Sequence, residues 1–184
     1  MYTFNRPGYK NTKKALEIML EGVEKYKVNE VVVASTYGDT GLAAAKLLKG
    51  KGVQLIVVTH NYGFKTPGTL EMTPKTRNEL ESLGARVYTG TMPFRNIGTA
   101  IRDKQTYCQQ DLIANTLRLL GQGIKVCVEI AMMASDAGLV GTNDIITVAG
   151  TARGADTVAL VHPAPSNHLF DVKVRDILAK PFNW

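Results

Sequence analysis

A run of β-branched residues opens residues 31–48, which read Val31-Val32-Val33-Ala34-Ser35-Thr36-Tyr37-Gly38-Asp39-Thr40-Gly41-Leu42-Ala43-Ala44-Ala45-Lys46-Leu47-Leu48. A continuous apolar run bounded by turn residues is typical of a strand that is covered on both faces. The Ala, Leu and Lys residues that close the stretch are strong helix formers. We therefore predict a buried strand, a short turn rich in glycine and hydroxyl side chains, and then a helix.

The predicted turn at residues 35–41 is a candidate anion site. A helix that begins here directs unpaired N–H groups and the positive end of its dipole at the space above the strand. Phosphate and carboxylate groups bind at such positions. The alternative is an ordinary strand-to-helix turn, in which the Ser, Thr and Asp side chains only cap the helix.

Hydrophobic spacing and the Gly and Pro signals predict the other elements. Helices are expected at 13–27 with Thr12 as N-cap, from Thr73-Pro74 to Gly84, and at 97–120 with room for one break. Further strands are expected at 53–59, 86–89, 145–149 and 157–162. Residues 125–137 begin with a strand-like alternation, but their length favours a helix. The last two strands are too close in sequence for a helical crossover, which predicts an antiparallel hairpin at the sheet edge.

The alternation of strands and helices predicts one α/β domain over residues 1–184. Residues 1–11 form a polar lead-in, and residues 163–184 form a C-terminal extension around a short amphipathic piece at about 171–179. No internal repeat or linker interrupts the pattern.

Composition limits the classes of partner. Lys plus Arg exceed Asp plus Glu by 22 − 16 = 6, but the lysines are dispersed, which argues against a nucleic-acid-binding protein. Cys108 and Cys127 show no CxxC spacing and are expected to be reduced thiols, while the three scattered histidines do not suggest a metal site. No signal-peptide region or membrane-length apolar run is visible, so we expect a soluble, cytoplasmic protein.

Three features in chain order carry a resemblance to a known domain: the turn at 35–40, the strand at 55–59, and the strand–Gly loop–strand segment at 144–162. Together they resemble the C-terminal α/β domain of pyruvate kinase, which carries the allosteric sugar-phosphate site of that enzyme. In that family the turn holds a phosphate and the hairpin loop closes over the effector. The resemblance implies a three-layer α/β/α fold, with a mostly parallel sheet of about five strands in the order 3-2-1-4-5 and a terminal antiparallel hairpin.

The runs Lys125–Ile130 and Gly154–Thr157 are more similar to a small group of free-standing archaeal and bacterial proteins that resemble the same domain. That group has no assigned reaction and is associated with flavin mononucleotide (FMN). The resemblance therefore implies FMN as cofactor. By analogy with the position of the domain in pyruvate kinase, it also implies a homo-oligomer. No catalytic barrel is encoded, so phosphoryl transfer from phosphoenolpyruvate is not expected.

The strand order reverses next to the first predicted strand, and ligands of open α/β sheets bind at such a point, outside the carboxyl ends of the strands. The turn at 35–41 and the loop at 150–156 flank it. Glycines allow close approach of the backbone, threonine hydroxyls donate, and Arg153 can offer a planar fork to phosphate. The predicted site residues are Ser35, Thr36, Tyr37, Gly38, Asp39, Thr40, His60, Asn61, Tyr62, Gly150, Thr151, Arg153, Gly154, Ala155 and Asp156.

Alternatives remain for individual residues. Asp39 places a carboxylate within the turn, which repels a dianion unless it points outward or caps the helix. Arg153 is otherwise a solvated loop residue, and Asp156 otherwise caps or pairs structurally. Tyr37, Tyr62, Phe64 or Phe94 can stack on a flavin or purine ring, or only pack their own loops. His60 follows a strand and can serve as an acid–base group, although no partner for it is visible.

The residues leave three functions open. The first is a protein that binds a phosphorylated cofactor or metabolite, with FMN as the favoured ligand. The second is a stand-alone regulatory module that senses a sugar phosphate or nucleotide without turnover. The third is a hydrolase or lyase that acts on a small phosphorylated substrate through His60 or Asp39.

Overall fold

The computed structural model describes residues 1–184, and all of its strands lie in one mixed sheet. The strands are β1, Tyr2–Phe4; β2, Glu30–Ala34; β3, Gln54–Val58; β4, Arg86–Tyr88; β5, Ile145–Ala149; β6, Thr157–His162; and β7, Lys173–Pro181. Their order is β1-β7-β6-β5-β2-β3-β4. The four strands β2, β3, β4 and β5 are parallel, so their carboxyl ends meet at one edge.

Helices cover both faces of the sheet. They are α1, Thr12–Tyr26; α2, Asp39–Leu48; α3, Pro74–Ser82; α4, Asn96–Gln105; α5, Gln109–Arg118; and α6, Gln122–Asp136. Short 3₁₀ helices occur at Tyr9–Asn11 and Ser166–Asp171. One face carries α1, α2 and α3, while α6 packs on the other face and is covered in turn by α5. None of the helices has the length and apolar composition that crossing a membrane requires.

The valine run of β2 supplies both layers of the core. Val31 and Val33 pack against α1 and α2, whereas Val32 packs against α6 on the opposite face. All three side chains are fully buried. A strand with helices on both faces needs apolar residues at every position, which explains why this run does not alternate.

The α/β class is confirmed, but the sheet has seven strands rather than about five. The five predicted strands correspond to β2 to β6 and lie in the predicted order, and β5 and β6 are antiparallel. The expectation that this pair forms the sheet edge was wrong. Strand β7 pairs with the free side of β6, and β1 pairs in parallel with β7.

Both missed strands lie in segments that we expected to be a lead-in and an extension. Two register shifts interrupt the pairing of β7 with β6. These irregularities break the two-residue alternation of β7, so its sequence reads as amphipathic without a clear period. Strand β1 has three residues, and its pairing partner lies at the far end of the chain.

The helix predictions agree more closely with the structure. The predicted segment 125–137 is helical up to Asp136, within α6, as the length argument favoured. The segment 97–120 is broken once, between α4 and α5, where Thr106 adopts φ 63°. Thr12 is the first residue of α1 rather than its N-cap, and its hydroxyl accepts a hydrogen bond from the Ala155 N–H at 3.0 Å.

An ion pair is buried within α6. Lys125 and Glu129 are only 4% and 1% exposed, and the Lys125 ammonium donates to the Glu129 carboxylate. The other carboxylate oxygen of Glu129 accepts from the Phe94 N–H at 2.9 Å. Burial lowers the pKa of Lys125, although the neighbouring Glu129 carboxylate acts in the opposite direction. Each buried charge therefore depends on its partner for compensation.

Candidate functional site

The loops that follow β2, β3, β4 and β5 meet the start of α6 around one cleft at the carboxyl edge of the sheet. The volume of the cleft is about 230 Å³. Its walls come from the turn at 34–40, the loop residues His60 and Phe64, Arg95, the loop at 150–154, and Gln122 with Val126 of α6. Parallel strands place their following loops at the same edge, which is why segments so distant in sequence converge here.

The turn between β2 and α2 is held in shape by local contacts. Gly38 precedes α2 with φ 96°, a conformation that favours glycine. A Cβ atom at this position would lie 2.3 Å from the Thr76 side chain. The Ser35 hydroxyl accepts from the Gly41 N–H at 3.1 Å, which fixes the first turn of the helix. Ser35 is thus a structural member of the turn.

The same turn contains a series of backbone donors that are unpaired within the protein. The backbone N–H groups of five consecutive residues, Thr36 to Thr40, donate no hydrogen bond within the protein. Thr40 is only 3% exposed and lines the cleft, and its hydroxyl has no hydrogen-bond partner in the protein. The first N–H groups of a helix have no intrahelical acceptor, so these donors are available to water or to a bound acceptor.

The loop at 150–156 forms the opposite wall and is fixed by Asp156. The Asp156 carboxylate is fully buried and accepts from the Gly8 N–H, the Thr151 N–H and the Thr157 hydroxyl at 2.8, 3.1 and 2.8 Å. Gly150 has no room for a side chain, because a Cβ would lie 2.4 Å from the Gly154 carbonyl oxygen. Asp156 therefore positions the loop, and its oxygens are occupied by the protein.

An ion pair joins the two walls. The Asp39 carboxylate lies 3.4 Å from Nε of Arg153, with side-chain exposures of 37% and 65%. The Arg153 guanidinium also lies 5.3 Å from the centroid of the Tyr37 ring. The Lys65 ammonium donates to the Tyr37 hydroxyl from a third segment. Asp39 thus points across the cleft to a cation and does not cap its own helix.

His60 lies on the floor of the cleft beside a hydroxyl group. Its Nε2 atom is 3.4 Å from Oγ1 of Thr36, and its ring packs on Phe64 with the centroids 3.9 Å apart. The Nδ1 atom is buried and has no partner in the protein. Burial lowers the pKa of His60 below its ordinary value of 6.5, with a smaller opposing effect from Glu71. The neutral imidazole is therefore the form present at pH 7.

Several residues that line the cleft were not predicted from the sequence. Arg95, from the loop after β4, lies 4.6 Å from the Phe64 ring centroid and forms no ion pair. Its position in the loop that follows a parallel strand was a usable signal. Gln122 and Val126 line the cleft from α6, and Arg118 donates to the Gln122 side chain at 2.6 Å. Nothing in the sequence indicates that the start of α6 passes behind this cleft.

The predicted site residues divide into two groups. The cleft is lined by Ser35, Thr36, Tyr37, Asp39, Thr40, His60, Gly150, Arg153 and Gly154. The remaining residues are outside its lining, and they are Gly38, Asn61, Tyr62, Thr151, Ala155 and Asp156. Among these, Asn61 donates to the Tyr62 carbonyl and Tyr62 to the Gly68 carbonyl within their own loop.

The four aromatic residues considered for ring stacking also divide. Phe94 is buried in the core beside α6, and Tyr62 lies outside the cleft with 62% of its surface exposed. Tyr37 and Phe64 line the cleft, but each already packs against two side chains. A flat ring could therefore stack in the cleft only if some of these side chains moved.

A comparison with models of known protein families finds no match to the chain. Among solved structures, a pyruvate kinase from Cryptosporidium parvum is 13% identical, with a TM-score of 0.44, over 83% of this chain and 23% of that one. An NMN synthetase from Francisella tularensis is 14% identical, with a TM-score of 0.41, over 75% of this chain and 52% of that one. A hydrogen sulfide-producing enzyme from Fusobacterium nucleatum is 15% identical, with a TM-score of 0.34, over 52% of this chain and 29% of that one.

The chain thus spans less than a quarter of the length of the pyruvate kinase that it matches. A pyruvate kinase is among the similar structures, as the resemblance implied, but the association with flavin mononucleotide finds no support in them. These similarities assign no family, and the α/β arrangement rests on the sheet and helices of the chain itself.

Proposed function

We propose that this protein binds a small phosphorylated molecule in the cleft between the turn at 35–41 and the loop at 150–156, with FMN as the specific candidate. The observation that carries the proposal is the series of five free N–H groups from Thr36 to Thr40 at the start of α2. Successive N–H groups in a turn form an anion-binding concavity, and the helix dipole adds to their field. The Thr40 hydroxyl, which lines the cleft and has no partner in the protein, supplies a further donor.

Two arginines supply positive charge at the rim. Arg153 is held by Asp39 at 3.4 Å, whereas Arg95 has no acidic partner. A phosphate that enters the cleft shares Arg153 with Asp39, which lowers the affinity that the guanidinium can give. The Asp39 carboxylate therefore favours ligands that combine a phosphate with hydroxyl groups, because a hydroxyl can donate to it.

Isothermal titration calorimetry tests the proposal with matched pairs of ligands. Inorganic phosphate, FMN with riboflavin, and a sugar phosphate with its unphosphorylated sugar separate the phosphate from the rest of the ligand. We expect binding by the phosphorylated member of at least one pair and by neither unphosphorylated member. A protein that binds riboflavin as tightly as FMN, or that binds no phosphorylated compound, contradicts the proposal.

Arg153→Ala provides the matched variant, with Arg86→Ala as its control. A hydrogen bond to a charged group contributes about 1.5–3 kcal/mol, which corresponds to a loss of about 10- to 100-fold in affinity for Arg153→Ala. Arg86 is exposed at the opposite end of its parallel strand, so its removal is expected to leave phosphate affinity unchanged. Equal losses in the two variants would indicate general electrostatic attraction rather than a site.

FMN is distinguished from a smaller ligand by absorbance. A flavin-bound protein is yellow after purification, and its spectrum shifts when flavin is added to the stripped protein. A colourless protein that takes up sugar phosphate with thermal stabilisation and without turnover supports the regulatory alternative. The homo-oligomer implied by the resemblance stays a prediction, which analytical ultracentrifugation tests.

A further inference from the structure

The cleft contains a hydroxyl group next to a base. Thr36 is the first residue of the series of free N–H groups, and its Oγ1 atom lies 3.4 Å from Nε2 of His60. Both side chains line the cleft. A hydroxyl within reach of a base is the arrangement that activates serine and threonine nucleophiles, and such contacts are often long before the substrate binds.

The surroundings of His60 suit a base. Phe64 packs against one side of the ring, and the ring is partly buried. The charged groups that act on it are Glu71, Arg95, Lys65 and Glu129, two of each sign, and burial outweighs them. Glu71 has a buried carboxylate oxygen without a partner, and His60 has a buried Nδ1 without one. In the tautomer that carries its proton on Nδ1, the Nε2 atom faces the Thr36 hydroxyl as an acceptor.

We propose that Thr36 is a nucleophile and His60 its general base, so that the protein hydrolyses phosphate monoesters through a phosphothreonine. The inference rests on the proposed function, because it uses the same phosphate site. A monoester whose phosphate binds the unpaired N–H groups that follow Thr36 would have its phosphorus near Oγ1 of Thr36. The Thr36 hydroxyl and the His60 imidazole are already adjacent, so no rearrangement of the loops is needed to bring them together.

In the first step the proton of Thr36 Oγ1 passes to Nε2 of His60 and the Oγ1–P bond forms. The P–O bond to the alcohol breaks, and the leaving oxygen keeps the electron pair and takes a proton from solvent. His60 then releases its proton to solvent. In the second step water attacks phosphorus and gives a proton to His60, the P–Oγ1 bond breaks, and that proton returns to Thr36. One water and one monoester become one alcohol and inorganic phosphate, without oxidation or reduction.

The same donors that bind phosphate stabilise the charge that develops in both steps. The unpaired N–H groups of the turn would donate to the non-bridging oxygens, and Arg153 lies on the opposite wall. Fixed donors aimed at developing charge give much of the rate enhancement of many enzymes. Thr40 differs from Thr36 because its hydroxyl has no base beside it, so it binds and does not attack.

The test uses p-nitrophenyl phosphate with the full chain at pH 7.5, followed by acid quenching and peptide mass spectrometry. We expect release of nitrophenolate and one phosphate on Thr36 in the quenched protein. Thr36→Ala abolishes both, Thr36→Ser retains turnover, and His60→Gln lowers the rate by about 10²- to 10⁴-fold, which is the usual contribution of a general base. Thr142→Ala and His168→Gln are exposed controls far from the cleft and keep the wild-type rate.

The pH profile separates a base from a structural role. The rate of the wild type is expected to fall on the acid side with a midpoint below 6.5, because protonated His60 cannot accept the Thr36 proton. His60→Gln loses this dependence. A flat acid limb in the wild type, phosphate on another residue, or equal rates in Thr36→Ala and wild type overturns the inference.

Calorimetry with inorganic phosphate distinguishes the two proposals. A protein that binds phosphate but neither releases nitrophenolate nor carries phosphothreonine refutes the catalytic inference alone. A protein that binds no phosphate refutes both. Circular dichroism of each variant confirms that it is folded before its rate is compared.

Discussion

The buried pair of Lys125 and Glu129 allows a quantitative test of the core. Replacing Lys125 by Met keeps the length and apolar volume of the side chain but removes the ammonium. The Glu129 carboxylate is 1% exposed, and the only hydrogen bond left to it is from the Phe94 N–H. The substitution therefore leaves a charge in the interior without its counter-charge.

The expected cost follows from that isolation. Removing one partner of a buried ion pair destabilises a protein by about 3–5 kcal/mol, a large fraction of the total stability of about 5–15 kcal/mol. Glu129→Gln leaves Lys125 unmatched and is also destabilising. Lys125→Met/Glu129→Gln contains neither charge, and the glutamine oxygen can still accept from Phe94. The double variant is therefore expected within about 1 kcal/mol of wild type, because neutral replacement of a buried pair is often tolerated.

Urea unfolding at pH 7, followed by far-ultraviolet circular dichroism, gives the free energy of unfolding of the four proteins by linear extrapolation. The double-mutant cycle formed by these four proteins is expected to give a coupling energy of about 3 kcal/mol between Lys125 and Glu129. Lys14 and Glu17 form the matched control, because they are a pair at 3.4 Å with exposures of 41% and 45%. The same substitutions there should give a coupling below about 1 kcal/mol.

The reasoning is refuted if Lys125→Met unfolds at the same urea concentration as wild type. It is also refuted if the double variant is less stable than Lys125→Met, since the orphaned carboxylate is then not the source of the loss. A changed slope against urea in any variant would indicate an altered unfolded state and would disqualify that comparison.

Three further predictions concern titration and backbone shape. Burial lowers the pKa of His60, so the unfolded chain binds a proton near pH 6.5 that the folded protein does not; the free energy of unfolding should fall as the pH drops below 6.5, and His60→Gln should lose this slope in urea melts. Burial raises the pKa of the Cys127 thiol to about 12, so a Cys108→Ser variant should react with a thiol reagent at pH 8 only in denaturant, and rapid labelling of the folded protein would contradict this. Gly38→Ala places a Cβ 2.3 Å from the Thr76 side chain at φ 96°, and we expect a loss of about 1–3 kcal/mol in thermal melts together with weaker phosphate binding; unchanged stability would show that the turn tolerates the strain.

The parts of the fold that could be predicted are those whose signal is local. The valine run Val31 to Val33 predicts a strand that is covered on both faces, because such a strand needs apolar residues at every position. The Ala-rich run after it predicts a helix, because these residues have high helix propensity. Strand β7 has no such pattern, because its register shifts against β6 interrupt the alternation of buried and exposed residues. Strand β1 is too short for any period, and its stabilisation comes from residues 179–181.

The candidate site was predictable to the extent that it follows parallel strands. The turn after β2, His60 after β3 and the loop after β5 were found by that rule, which also applies to Arg95 after β4. Gln122 and Val126 reach the cleft because α6 crosses the sheet, a matter of packing that spacing along the chain does not reveal. The contact between Thr36 and His60 likewise arises because their loops follow adjacent strands, which the sequence spacing does not indicate.

The pairing of β1 with β7 determines when the sheet can be completed during protein synthesis. Tyr2 to Phe4 leave the ribosome long before their partners Ala179 to Pro181 are made. The buried face of helix α1 likewise packs against β5 and β6, which are synthesised much later than the helix. Contacts of such long sequence separation form slowly, and an uncovered apolar helix face is prone to aggregate in the meantime. Folding of this domain is therefore expected to finish only after residues 179–181 have left the ribosome.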